Sequence, residues 1–257
     1  MPPAFLKALG RREPPPSIAV EGWEFVLERV FKNDFFAVTC LYAGDAGRVV
    51  LKLNRQAPMF GLPLSWIGRW LAAREARIFR HVQGIDGVPR FLGCYGPTGI
   101  LHEFIPGHAM RRGERVGDDF HPRLRSAIDA MHDRGVAYVD LEKCENVVVG
   151  DDGRPYLVDF QISWHWPRRW GGDGWPLRTI RRRLQAGDRY HLVKLQRRTR
   201  PDQLTPEQRQ ASYRRPWYVC LHNGVTRPAK LFRRRLLDRL DPGRCDGERG
   251  RVHWNSD

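Results

Sequence analysis

The stretch from Tyr138 to Phe160, YVDLEKCENVVVGDDGRPYLVDF, sets two carboxylates, Asp140 and Asp159, around one carboxamide, Asn146. The runs VVV (147–149) and YLV (156–158) read as short buried strands, and GDDGRP between them is a turn built from Gly, Asp and Pro. The segment is expected to form a hairpin with polar groups gathered at its two ends, where a hairpin itself needs none of them. A carboxylate at a strand end suits a hard cation, which prefers oxygen ligands. The competing reading is a set of turn-capping polar residues. Two further charged residues are candidates, Lys52 in VVLKL and Glu75 in AAREARIF, 23 residues further on. Taken singly they are an edge lysine and a helix-surface acid, the latter worth about 0.2–0.5 kcal/mol beside its arginine neighbours.

These groups need elements to hold them. From Trp23 to Asn54 the runs WEFVLERVF, FFAVTCLYA and RVVLKL, separated by KND and GDAG, predict three consecutive antiparallel strands. An apolar connection broken by Pro and Gly follows, APMFGLPLSWIG. The segment 69–82 then has apolar residues at 71, 78, 79 and 82 and predicts a helix. VPRFLGCYGPTGILHEFIPG supplies two more strands around a PTG turn. A second helix spans 118–135, stopped by Gly135. The hairpin and a largely helical basic tail complete an α+β order with no internal repeat.

Composition bounds the partners. A chain of 257 residues with 41% apolar content and nine Trp has ample core for one large domain or two lobes. No segment carries the roughly 18 consecutive apolar residues a membrane span requires. The start, MPPAFLKALGRREPPPS, lacks a signal-peptide apolar core and reads as a loose leader (1–20) whose few apolar residues could dock elsewhere. The five cysteines are widely spaced and form no CxxC, which fits a reducing cytosol and offers no metal-site spacing. Of the net charge of +15, residues 1–160 hold 21 Lys+Arg against 20 Asp+Glu, while residues 161–257 hold 23 against 9. A basic half implies an anionic partner: nucleic acid, an acidic membrane surface or a phosphorylated substrate. The bland alternative is a well-solvated arginine-rich surface.

The order of elements and motifs resembles the protein-kinase-like fold over roughly 23–195. Within it the chain is most similar to the branch holding lipopolysaccharide inner-core sugar kinases and RIO-like kinases. The resemblance implies a two-lobed α+β fold, with a small antiparallel-sheet N-lobe (21–105) and a mainly helical C-lobe (106–257). It also implies ATP and Mg²⁺ as cofactors. Asp159, in VDFQ, opens the position of the kinase DFG motif and would hold Mg²⁺, although Gln161 replaces its Gly. Asn146 matches the catalytic-loop asparagine that binds a second Mg²⁺. Asp140 resembles the base-like aspartate, but the pattern H-R-D-x-x-x-x-N places it five residues before the Asn and here the gap is six. Tyr138 and Val139 also stand for His and Arg, and Glu142 is the alternative base. KCEN mirrors the kinase K-P-E-N run, so Lys143 would neutralise the γ-phosphate. Lys52 would pair with the α- and β-phosphates and Glu75 with Lys52. In HEFIPG the backbone around Glu103 to Ile105 would meet adenine. Asp188 would brace the catalytic loop.

Two departures stand out. Where a kinase has its glycine-rich loop this chain has RVFKNDFFA, so the phosphates need another backbone shape, with Lys32 as a possible helper. No A-P-E peptide platform follows the metal motif. Instead Trp164, Trp166, Trp170 and Trp175 sit among Arg168 and Arg169, a mixture suited to a phosphosugar, an anionic headgroup zone or stacked RNA bases, or else to lobe packing. The segment 227–240 reads as a basic amphipathic helix that could lie on an anionic leaflet or pack on the large lobe. No role falls to His102, His121, His132, His191 or His222. The combined expectation is a cytoplasmic ATP- and Mg²⁺-dependent phosphotransferase, peripheral on the inner membrane, acting on a sugar hydroxyl of an anionic glycolipid. A Ser/Thr protein kinase and a non-catalytic basic module binding RNA or membrane are the alternatives.

Overall fold

The computed structural model describes residues 4–59, 62–165 and 174–213. These fall into two compact units, the first containing the described residues up to Arg80 with Pro89–Ile105, the second His81–Val88 with the described residues from Pro106 on.

The first unit is built on a six-stranded sheet in the order β1-β2-β3-β4-β6-β5, every neighbouring pair antiparallel. Its strands are β1 (Ser17–Val20), β2 (Trp23–Asn33), β3 (Ala37–Gly44), β4 (Gly47–Asn54), β5 (Phe91–Tyr95) and β6 (Gly99–Glu103). The three strands expected between Trp23 and Asn54 are present, and the PTG turn joins β5 to β6. From Val49 onward every residue of β4 is buried, as a central strand covered on both faces must be. Its core neighbours include Phe25, Val38, Cys40, Tyr42 and Leu101.

The leader's few apolar residues do dock, and the segment is not loose. Ala8 and Leu9 are buried, and Ile18 and Val20 of β1 enter the same core. Composition misleads here because proline lacks an N–H but keeps its carbonyl. Tyr42 Oη donates to Pro15 O at 2.8 Å and Leu27 N to Pro16 O at 2.8 Å, so the PPP run is tied down through its acceptors.

Helix α1 (Ser65–Val82) begins before the expected 69 and runs through Gly68. A Cβ at that position would stand 2.0 Å from Arg55 O. The glycine that reads as a breaker is what lets the first turn of the helix pass this carbonyl.

The second unit holds α2 (Phe120–Asp133), the three-stranded sheet β7-β8-β9 (Gly107–Ala109, Val147–Gly150, Pro155–Leu157) and α3 (Trp175–Thr199), followed by α4 (Pro206–Ala211). Helix α2 stops at Gly135, which takes φ 77°. Gly135 N donates to His132 O at 2.9 Å and Val136 N to Met131 O at 3.0 Å, the paired bonds of a Schellman ending. The expected hairpin is β8-β9. Strand β7, three residues long, was invisible to periodicity and joins β8 on its other edge. Trp166, Trp170, Arg168, Arg169 and the segment 227–240 lie outside the described residues.

Candidate active site

In the first unit, β4 presents Lys52 and α1 presents Glu75. Lys52 Nζ donates to Glu75 Oε1 at 3.0 Å, with the side chains 9% and 1% exposed. The sheet register sets the lysine between Thr39 on β3 and Ile100 on β6, and the helix brings the acid over it. A pair this deep is held by geometry, since either charge alone would be costly to bury. The strand end expected to meet adenine is partly engaged. Glu103 N donates to Arg90 O at 2.8 Å, and His102 Nδ1 lies 2.8 Å from Glu103 O. Ile105, half-buried, closes the unit.

The glycine-free loop is a tight turn, and Lys32 is not at liberty there. Lys32 Nζ pairs with Asp34 Oδ2 at 2.8 Å, while Asp34 Oδ1 accepts from Phe36 N at 2.8 Å and Ala37 N at 3.0 Å. Burial works against the Asp34 carboxylate, yet Lys32 and the two backbone donors outweigh it and lower its pKa. The turn amides are therefore satisfied by the chain's own carboxylate. Arg55, fully buried, fixes the turn from below: it donates to Phe35 O at 2.9 Å and Phe5 O at 2.9 Å and lies 3.9 Å from the Phe35 ring centroid. Sequence reasoning missed Arg55. Its only signal is an arginine directly after the strand run VVLKLN.

In the second unit the loop after α2 gathers three of the predicted groups. Asn146 Nδ2 donates to Asp140 Oδ2 at 2.9 Å and Lys143 Nζ to the same oxygen at 2.6 Å. Glu142, the alternative base, pairs instead with Lys194 on α3 at 3.3 Å. Burial disfavours the Lys143 ammonium, but Asp140, with smaller contributions from Asp159 and Glu145, more than offsets it and raises its pKa. Asp159 sits just past β9 in the left-handed region, φ 63°, and the strand before it is tied to the loop because Val158 N donates to Asn146 O at 3.0 Å.

Two residues hold this loop in shape. Asp188, 1% exposed on α3, accepts from Tyr138 N at 2.8 Å, Val139 N at 2.7 Å and His132 Nε2 at 2.9 Å. Val139 has φ 71°, an unfavourable conformation for a β-branched residue that the two anchored amides impose. Tyr138 Oη donates to Val158 O and lies 3.3 Å from Asn146 O, which shares the same proton. The Tyr138 phenol thus clips the Asn146 segment to the strand end that precedes Asp159, a role its sequence position did not disclose. Trp164 pairs its backbone with Ala137, also behind the loop, whereas Trp175 is exposed at the start of α3.

The donor set fits Mg²⁺. With Nδ2 spent on Asp140, the carboxamide oxygen would be the ligating end of Asn146, and Asp159 would supply a carboxylate. Among the described residues no three His, Cys, Asp or Glu form a metal cage. One carboxylate and one amide oxygen match a hard ion that keeps waters and takes its other ligands from substrate phosphates.

The first unit thus carries a buried Lys–Glu pair on a six-stranded antiparallel sheet, and the second carries aspartate, asparagine and aspartate on a braced loop and hairpin. No protein-family profile matches the chain. A probable casein kinase I homolog of Encephalitozoon cuniculi (strain GB-M1) is 28% identical over 141 residues, 51% of this chain and 41% of the relative, so the chain spans about two fifths of that protein. Among solved structures, the Rio2 kinase from Chaetomium thermophilum aligns at a TM-score of 0.48 with 15% identity, over 69% of this chain and 59% of that one. The Rio2 kinase–ADP/Mg²⁺–phosphoaspartate complex from the same organism gives 0.48 and 14%, over 71% and 60%.

Proposed function

We propose that the chain is an ATP- and Mg²⁺-dependent phosphotransferase whose acceptor is a sugar hydroxyl of an anionic glycolipid, of the kind found in a lipopolysaccharide core. The observation that carries the transfer chemistry is the single Asp140 oxygen shared by Asn146 and Lys143 on a loop held by Asp188. In this reading Asp140 orients the acceptor hydroxyl and takes its proton. Lys143, kept charged by its neighbours, faces the charge that develops on the transferred group. Lys52, set by Glu75, grips the remaining phosphates. Bound at Asn146 and Asp159, Mg²⁺ would neutralise phosphate charge. Positioning and electrostatics supply the rate, with no covalent intermediate on the protein. The acceptor is argued from the basic half of the chain and the absence of an A-P-E motif in its sequence.

The casein kinase homolog among its relatives favours a second reading, a Ser/Thr protein kinase. Incubation of a cell extract with γ-labelled ATP separates them: label entering the lipid–carbohydrate fraction supports the first, label entering protein the second. Loss of transfer in Asp140→Ala with retention in Glu142→Ala is the expected pattern, and the reverse would sink the assignment of Asp140. ATP with Mg²⁺ should raise the melting temperature of the native chain but not of Asp159→Asn.

A further inference from the structure

Helix α1 has two unlike sides. Ala72, Glu75, Ala76, Ile78, Phe79 and Val82 are buried, with Glu75 on Lys52 and the Phe79 ring stacked on Phe91 at 5.6 Å and on His102 at 5.5 Å. At about 100° per residue, Trp66, Arg69, Trp70, Ala73 and Arg77 share the opposite arc. There Trp66 is 64% and Trp70 56% exposed, and Leu62, in the loop just before the helix, is 64% exposed. Core packing does not explain two outward tryptophans one turn apart. Their charged neighbours are all basic. Arg69 and Arg77 are exposed, with no acidic partner among the described residues, and the Arg74 guanidinium lies 5.4 Å from the Trp70 ring centroid. The helix has one acidic residue, Glu75, and it faces inward. An occupant of this face must therefore accept indole and aliphatic groups while supplying negative charge.

We propose that this outer face of α1, with Leu62, docks on a bilayer surface carrying anionic lipid: Leu62, Trp66 and Trp70 enter the headgroup zone and Arg69 and Arg77 pair with lipid phosphates. Indole favours that zone because it offers an apolar environment to the ring and a polar one to its N–H. Basic side chains beside it add attraction to an anionic leaflet. A nucleic acid would use the arginines and indoles but gives no reason for an exposed leucine in the same patch. Docking requires no nucleotide, so it stands or falls apart from the phosphotransferase reading.

The test is co-sedimentation of the full chain, without nucleotide, with vesicles of phosphatidylcholine alone and of phosphatidylcholine with phosphatidylglycerol. Binding is expected on the anionic vesicles only. It should weaken at least tenfold in both Trp66→Ala/Trp70→Ala and Arg69→Glu/Arg77→Glu, with melting temperatures and Mg²⁺–ATP stabilisation as in the native chain. Brominated phosphatidylglycerol should quench tryptophan fluorescence of the unsubstituted chain, which needs no variant to fold. The proposal is overturned by equal binding to neutral vesicles, by undiminished binding of either double variant, or by absence of quenching. It is also overturned if the tryptophan substitutions instead dissolve a dimer, which would make a second copy the occupant.

Discussion

Asp188→Asn tests whether a single buried carboxylate shapes the loop that carries Asp140. Asp188 spends Oδ2 on Tyr138 N and His132 Nε2, and Oδ1 on Val139 N. Asparagine has the same outline but only one acceptor oxygen. With that oxygen at Oδ2, the new amide faces Val139 N–H; with it at Oδ1, the amide faces Tyr138 N–H. Either way one buried backbone donor loses its acceptor, at a cost of about 1–3 kcal/mol, and the surviving bonds weaken from charge-assisted to neutral by roughly 1 kcal/mol more. The expected loss is about 3 kcal/mol, a large share of the roughly 5–15 kcal/mol that holds a domain folded. Urea unfolding should show a lower midpoint at unchanged slope. Weakened anchoring also lets Val139 leave its left-handed conformation, worth about 1–3 kcal/mol of stored strain, and carries Asp140 with it. Under the proposed function, phosphate transfer should then show kcat reduced at least tenfold with a smaller change in KM for ATP. A variant within about 0.5 kcal/mol of the native chain and within twofold in kcat would refute the bracing argument.

Three further outcomes are expected. Tyr138→Phe removes the donor shared by Val158 O and Asn146 O, so stability should fall by about 1–2 kcal/mol and, under the proposed function, the Mg²⁺ concentration for half-maximal activity should rise several-fold in a metal titration. Glu75→Leu removes the carboxylate paired with the buried Lys52 ammonium and should cost about 3–5 kcal/mol, whereas adding Lys52→Met should recover part of it, read out by a double-mutant cycle in urea. His121 is buried near Arg200 and Arg125, which pushes its pKa from 6.5 down to about 4. The folded chain keeps this ring neutral where the unfolded chain protonates it. Its contribution is therefore fully present above pH 6.5 and is lost as pH falls toward 4, by at most about 3 kcal/mol. His121→Gln should flatten that part of the stability–pH curve.

The sequence of strands and helices was legible because its signals are local. Clusters of apolar and β-branched residues, the PTG and GDDGRP turns and the stop at Gly135 each act within a few residues. Failures were local too, where a rule had a tertiary exception. Gly68 reads as a helix breaker but clears a carbonyl, and the PPP run reads as loose but is held through its acceptors.

For the site, residue chemistry singled out Asp140, Asn146 and Asp159, and the resemblance to kinase motifs added Lys52, Glu75 and Lys143. Partner choice was beyond reach. That Lys32 is consumed by Asp34, that Glu142 turns to Lys194 while Asp140 takes Asn146 and Lys143, and that Asp188 grips amides 49 and 50 residues away were decided only by the folded chain. The physical reason is range: a backbone period or turn is set by neighbours in the chain, whereas a hydrogen bond at 2.7 Å depends on where distant segments come to rest.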